Sequence, residues 1–245
     1  MNWIKTALVI SLILGMSVSE LTAGETLTLN TGTRNPYTTE EGQGFLDQVI
    51  GELFRRIGEK AEVTVYDASA RALANANNGI DAGAAMRIKG IEKKYPNLVM
   101  VPEKLIDNDF VAYTLRYDYK IESWADLSSY LTGYILGWQI FERQLPPGTQ
   151  AEKAVDPGQL FTLLQKGRVD VILYERWQGL WRAGHMGMDV LTHEPPLAQR
   201  AMYIYLHRRH AHLVESLSAE LARMKQDGSY QAIVARTLTP LTPAM

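Results

Sequence analysis

Several charged and aromatic residues of this chain fall just past segments that read as buried strands, where backbone ends and side chains converge on a ligand in open α/β sheets. Arg34, Asn35, Tyr37 and Thr38 follow the first such segment, and Arg87 follows the third. Trp138, Gln139 and Glu142 follow a later one, and Tyr174 and Glu175 close the last. A guanidinium holds a planar carboxylate by two parallel hydrogen bonds, so Arg34 and Arg87 are candidate anion contacts. Their plainer reading is a solvated or salt-bridging arginine. Glu175 is a candidate anchor for a ligand amine, and its plainer reading is an acidic N-cap on a helix opening at Arg176-Trp177, where the helix dipole favours a carboxylate. Trp138 and Tyr37 can stack on a ligand, because large amphipathic rings give contact area at small entropic cost. Trp177 and Trp181 lie four apart on one helix face and are expected in the core.

The elements that must position these residues are written twice. Leu73 to Ala85 (LANANNGIDAGAA) and Leu163 to Glu175 (LLQKGRVDVILYE) each run from a polar helix end through Gly to an apolar-Asp pair and a short apolar or small-residue run. Glycine past the last helical turn adopts the left-handed backbone, and the run after it has the length of a strand buried on both faces. Two copies about 90 residues apart point to two similar α/β lobes. In the first, Thr26 to Asn30 and Glu62 to Tyr66 are strands. Leu46, Ile50, Leu53 and Ile57 mark a helix ended by Gly58, Ala68 to Asn78 a second helix, and Asp81 to Ala85 a third strand. In the second, Trp124 to Leu131 is helical, Tyr134 to Gln139 a strand, Pro157 to Lys166 a helix and Val169 to Tyr174 a strand. Aromatic-rich Asn108 to Arg116 and Ala201 to His207 bracket this series as two crossings between the lobes. Two amphipathic helices follow, on Leu213, Leu217, Leu221 and Met224 and on Tyr230, Ile233 and Val234, and are expected to pack on the first lobe.

Composition excludes several classes of function. A formal charge of -2 gives no electrostatic reason for nucleic-acid binding. The chain has no cysteine, hence no disulfide, thiol chemistry or lipid-attachment cysteine. His207, His210 and His212 cluster without a carboxylate at ligand spacing, so no metal and no cofactor is expected. Gly42-Gln43-Gly44 lacks the third glycine and the later acid of a nucleotide loop. Nucleophilic catalysis has no local signature, while a catalytic pair among cleft carboxylates stays open. At the N-terminus Lys5, the apolar run Ala7 to Met16 and the small residues Thr22-Ala23-Gly24 read as a secretory signal peptide over residues 1–24, with an uncleaved anchor as the alternative. The mature protein is expected as a monomer in the bacterial periplasm.

The order of these elements resembles the extracellular solute-binding proteins of family 3. Four stretches carry the resemblance: Gly44-Phe45-Leu46-Asp47 with Leu53 and Ile57-Gly58; Asn78-Gly79-Ile80-Asp81-Ala82; Gly167-Arg168-Val169-Asp170-Val171; and Met224 to Tyr230 (MKQDGSY) with Ile233. It implies an α/β, two-lobed type II periplasmic-binding-protein fold, each lobe a mostly parallel sheet flanked by helices, with two crossover strands between. The implied lobes are residues 25–110 plus 203–245, and 111–202. The implied function is binding of a small polar solute, an amino acid or related amine or carboxylate, by hinge closure for delivery to an ABC transporter permease. An enzyme on the same scaffold, like the cyclohexadienyl dehydratases, and a ligand-sensing module are the alternatives. The chain departs from the family at the ligand site. Where the family places Thr-x-x-Arg, this chain runs Ala84 to Lys89 and offers only Arg87. Where the family often has Gly-Val-x-x-Gly-Thr, it has Gly137 to Glu142 (GWQIFE). The family's amine anchor would fall on Glu175.

Overall fold

The computed structural model describes residues 25–242. The expected signal peptide lies outside them, and no helix among them is long and apolar enough to cross a membrane.

Strand β1 (Leu27–Thr31) leads through a long loop to helix α1 (Phe45–Arg56). Asp47 holds the entry to α1 by accepting from the backbone N–H of Gly44 at 2.9 Å and of Thr39 at 3.0 Å. The helix buries Phe45, Leu46, Val49, Ile50, Leu53 and Phe54 along one stripe. Strand β2 (Ala61–Val65), helix α2 (Ser69–Asn77) and strand β3 (Gly83–Ile88) complete a βαβαβ unit in which β1 pairs parallel with both β2 and β3. Short β4 (Leu98–Met100) and long β5 (Ile106–Thr114) follow.

A 3-10 turn at Trp124–Ser129 then leads to β6 (Thr132–Ile135), α3 (Gln139–Gln144), β7 (Ala151–Ala154), α4 (Pro157–Gln165), β8 (Val171–Glu175) and α5 (Arg176–His185). Here β6 pairs parallel with β7 and with β8. After the two-residue β9 (Leu191–Thr192), the long β10 (Ala198–His207) returns to the first unit. It runs antiparallel to β5 along one half and to β3 along the other, so the two parallel units share one continuous sheet in the order β2-β1-β3-β10-β5-β8-β6-β7. The chain closes with α6 (Val214–Gln226) and α7 (Ser229–Thr237).

The core divides as the sheet does. Leu46, Ile50 and Leu53 of α1 meet Leu217 and Leu221 of α6 and Ile233 of α7 over the first unit, as the amphipathic patterns predict. In the second unit β8 is buried throughout: Ile172 and Tyr174 face Leu160, Phe161 and Leu180, while Val171 and Leu173 face Ile121, Leu127 and Phe141. That alternation is the two-residue period of a strand covered on both sides.

Three expectations need correction. The third strand begins two residues later and runs on to Ile88, because Asp81 is held by Asn30 Nδ2 at 2.7 Å while β10 pairs along the strand to its end. Arg87 therefore sits within β3, opposite Tyr203, rather than beyond it. The strand expected over Tyr134 to Gln139 stops at Ile135, where the positive φ of Gly137 turns the chain and Trp138 opens α3. Short β4 and β7 went unread; β7 (AEKA) carries no apolar alternation to mark it.

Close packing between β5 and α5 gives a direct stability test. Tyr113 is fully buried, and its hydroxyl bonds the Arg176 carbonyl at 2.5 Å because Gly179 leaves room. A Cβ at Gly179 would lie 2.2 Å from that hydroxyl oxygen and 2.4 Å from the ring carbon bearing it. Gly179→Ala is expected to cost about 2 kcal/mol and lower the melting temperature by roughly 5 °C, read by calorimetry. An unchanged melting temperature would show that this helix can shift freely.

Candidate functional site

The carboxyl ends of the parallel strands meet across a cleft of about 720 Å³, within the ordinary size of a small-molecule site. One wall is polar. The loop after β1 contributes Thr33, Arg34 and Asn35; Asp67 and Ser69 come from the β2–α2 junction, and Arg87 from β3. Thr38 fixes this loop from beneath, donating to the Thr33 carbonyl at 2.7 Å. Arg34 and Asp67 form a solvent-exposed ion pair with each other, with 64% and 86% of their side chains accessible.

Arg87 differs in kind. Its residue is 9% exposed, and Nη1 donates to Ser69 Oγ at 3.2 Å, while Nε and Nη2 are buried with no partner. It makes no salt bridge with any carboxylate among the described residues, and burial pushes its pKa down to about 10. No side chain caps the N-terminus of α2, whose first residue is Ser69, so the positive end of that helix dipole adds to the field beside the guanidinium. A desolvated cation with two idle donors has an electrostatic deficit that an anion cancels.

The facing wall is largely apolar. Ile135, Trp138, Val155, Pro157, Tyr174 and Trp181 line it. Trp138 stacks on Tyr174 with centroids 4.8 Å apart and on Phe141 at 5.6 Å, so its ring orientation is fixed by rings on both β8 and α3. At the rim Arg182 lies over the Trp181 ring at 5.3 Å, and Asp156 caps α4 by accepting from the Gln159 N–H at 2.9 Å.

This architecture recurs in solved structures. The second substrate-binding domain of a putative amino acid ABC transporter from Streptococcus pneumoniae superposes with a TM-score of 0.70 at 18% identity, covering 88% of this chain and 100% of that one. The GluR0 ligand-binding core in complex with L-glutamate gives 0.73 at 10% identity, covering 88% and 99%. A histidine kinase sensor domain with similarity to periplasmic binding proteins gives 0.68 at 16%, covering 89% and 97%. The fold is that of the two-lobed periplasmic binding proteins. No protein-family model matches the sequence. An uncharacterized protein of Shewanella oneidensis is 26% identical over 171 residues, which are 63% of this chain and 61% of that relative.

Within the periplasmic-binding-protein fold, the residues singled out in the sequence fall into two sets. Arg34, Arg87, Trp138 and Tyr174 line the cleft, as does Asn35. Tyr37, Thr38, Gln139, Glu142 and Glu175 do not. Gln139 and Glu142 lie on α3, exposed, and Glu142 accepts from the Gly137 N–H at 3.1 Å. Thr38 is buried under its loop. Glu175 is 1% exposed: Oε2 N-caps α5 through the Gln178 N–H at 2.9 Å, and Oε1 accepts from the Tyr37 hydroxyl at 2.8 Å. The helix-cap reading of Glu175 holds, and the expectation of an amine anchor at the cleft wall is corrected. Tyr37 is fully buried beside it and cannot stack on a ligand without moving. Trp177 packs against the cores of both units as expected, but Trp181, one turn further on, reaches the cleft. Among the described residues no group of three or more metal-ligating side chains forms, at His207 to His212 or elsewhere. Polar residues that the sequence did not offer include Thr33, Asp67, Ser69, Asp156, Gln178 and Arg182; Ser69, Asp156 and Gln178 sit at the starts of helices that border the cleft, and Arg182 lies in the last turn of α5, positions visible only once the strand ends are placed.

Proposed function

We propose that this protein is a receptor for a small carboxylate-bearing solute, which it encloses between its lobes. The observation that carries this reading is Arg87: a buried guanidinium on the cleft wall, with two nitrogens unpartnered, beside an uncapped helix N-terminus. Ligand bound to Arg87 and to the aromatic wall touches both lobes at once, so it favours the closed arrangement and shifts the population toward it. The signal-like residues 1–24 support export, and delivery to an ABC permease is the natural use of such a receptor. The carboxylates on the cleft wall support binding over catalysis, since Asp67 is paired with Arg34 and Asp156 is occupied as a helix cap. The likeness to a histidine kinase sensor domain favours sensing as the second reading. Permease and ATPase genes beside this one would support transport, and an isolated locus would support sensing.

A thermal-shift screen of ligand-free protein tests the reading. Carboxylates at a hundred times their Kd are expected to stabilise the fold by about 2.7 kcal/mol, with a matching rise in melting temperature. The radius of gyration from X-ray scattering should fall on binding. Shifts given by cations or neutral sugars, and by no carboxylate, would overturn it.

A further inference from the structure

Tyr37 and Glu175 lie behind the cleft wall, and what they do there follows from the parts of the chain they join. Tyr37 belongs to the first unit: it is fully buried, and its ring packs edge-on against Phe45 of α1 with centroids 6.1 Å apart. Glu175 belongs to the second, closing β8 and capping α5. The 2.8 Å bond from the Tyr37 hydroxyl to Glu175 Oε1 therefore crosses from one unit to the other. It does so beside a strand that carries the chain between them. Glu175 pairs with Phe110 of β5, and Asn108 of the same strand places Oδ1 3.2 Å from the Tyr37 hydroxyl. Two residues beyond Glu175, Trp177 packs against the cores of both units.

A contact at a pivot responds to the angle between the bodies it joins. A rotation about β5 and β10 that widens the cleft moves Tyr37 with α1 and Glu175 with β8. A hydrogen bond at 2.8 Å has little slack, since it weakens steeply once donor and acceptor move out of line. Glu175 is 1% exposed and Tyr37 is fully buried, so parting them strips two buried polar groups of their partner. That cost falls on the widened arrangement. Where the bond is made, Arg87 of the first unit and Trp138 and Tyr174 of the second line one cavity of about 720 Å³. The bond thus accompanies apposed walls.

From this we infer that Tyr37 and Glu175 form an inter-lobe catch, a hydrogen bond behind the ligand wall that favours the apposed arrangement of the lobes without touching the ligand. Both are positioning residues. The catch presupposes the two-lobed closure of the receptor reading and nothing about the charge of the ligand. It governs how much binding energy closure consumes, because an arrangement already populated need not be created by the ligand.

Inter-lobe distances in the ligand-free protein test it. The chain has no cysteine, so Ala70→Cys on α2 and Glu152→Cys on β7, both exposed, take one spin label on each lobe for pulsed dipolar spectroscopy. Tyr37→Phe removes the hydroxyl and keeps the ring, and the ratio of widened to apposed lobes should rise about fivefold, the equivalent of one net hydrogen bond. Glu175→Gln keeps a polar bridge, its amide NH2 donating to the Tyr37 oxygen while the hydroxyl turns to Asn108, so its distances should stay close to wild type. Tyr205→Phe is the control: that hydroxyl bonds Glu92 Oε2 at 3.0 Å within the first unit, so its loss should lower the melting temperature and leave the inter-lobe distances unchanged. A Tyr37→Phe distribution no wider than that of wild type, or of either other variant, overturns the catch and leaves Arg87 and the carboxylate reading standing. A widened Tyr37→Phe distribution upholds the catch even if no carboxylate binds.

Discussion

Arg87→Met abolishes carboxylate binding and, with no ligand present, raises the melting temperature. The two effects have opposite signs because they share one cause. In the free protein the guanidinium is withdrawn from water with only Ser69 Oγ as partner, and burial lowers its pKa to about 10, the mark of a charge held at a cost. Methionine fills similar volume without that charge. Replacing buried charged groups by well-packed apolar ones is neutral or stabilising, here by about 1 kcal/mol, which raises the melting temperature by roughly 3 °C. In the complex the same guanidinium meets an anion in a desolvated site. Removing one partner of such a pair costs on the order of 3 kcal/mol, more than a hundredfold in affinity. Arg87→Lys keeps the charge but loses the planar fork, and should fall between. Calorimetric titration and scanning calorimetry read both halves. Affinity within threefold of wild type in Arg87→Met would remove Arg87 from the site, and a fall in the ligand-free melting temperature would show the guanidinium to be structurally satisfied.

How far the sequence discloses this site depends on whether a residue's role is decided locally. Helix α1 and strand β8 are legible because their apolar periods, 3.6 and continuous, need only one neighbouring layer to explain them. Arg87 is legible as a candidate for the same reason, since it ends an apolar strand. Its register is not: the strand extends to Ile88 because β10, more than a hundred residues later, pairs with it. Glu175 shows the limit more sharply. Its position at the end of β8 fits a cleft residue and a helix cap equally well. The choice is made by Tyr37, 138 positions away, which covers it and takes its free oxygen. Trp177 and Trp181 share a helix face, yet the first lies over the junction of two cores and the second over open space. Helical spacing reports the face and not what lies opposite it.

The burial of Glu175 leads to the second large effect, a loss of stability as pH rises through the weakly acidic range. Its carboxyl is pushed up from 4.5 to about 7, chiefly because it is cut off from water; the Asp109 charge adds to this, and the bonds from Gln178 and Tyr37 work against it. Arg176, the next residue in the chain, is taken by Asp109 at 3.1 Å and Glu194 at 2.5 Å. In the unfolded chain the same carboxyl ionises near 4.5. Between the two values the folded state holds the extra proton, so unfolding releases it and is favoured by raising the pH. The penalty is absent below pH 4.5, grows up to pH 7 and is complete above it, at roughly 3 kcal/mol. Glu175→Gln keeps one acceptor oxygen for the Gln178 N–H and sets its amide NH2 against the Tyr37 hydroxyl, whose oxygen can accept from it, but it cannot ionise. Denaturant midpoints from pH 4.5 to 8 should therefore fall more steeply in the wild type than in the variant, the difference isolating this group from the histidines that titrate nearby. Tyr37→Phe removes a bond that favours the charged form, so the upper edge of the wild-type fall should move above pH 7. Parallel curves for wild type and Glu175→Gln would mean that the carboxyl is ionised, and solvated, at neutral pH. That state is what an amine anchor requires, and it would restore Glu175 to the cleft.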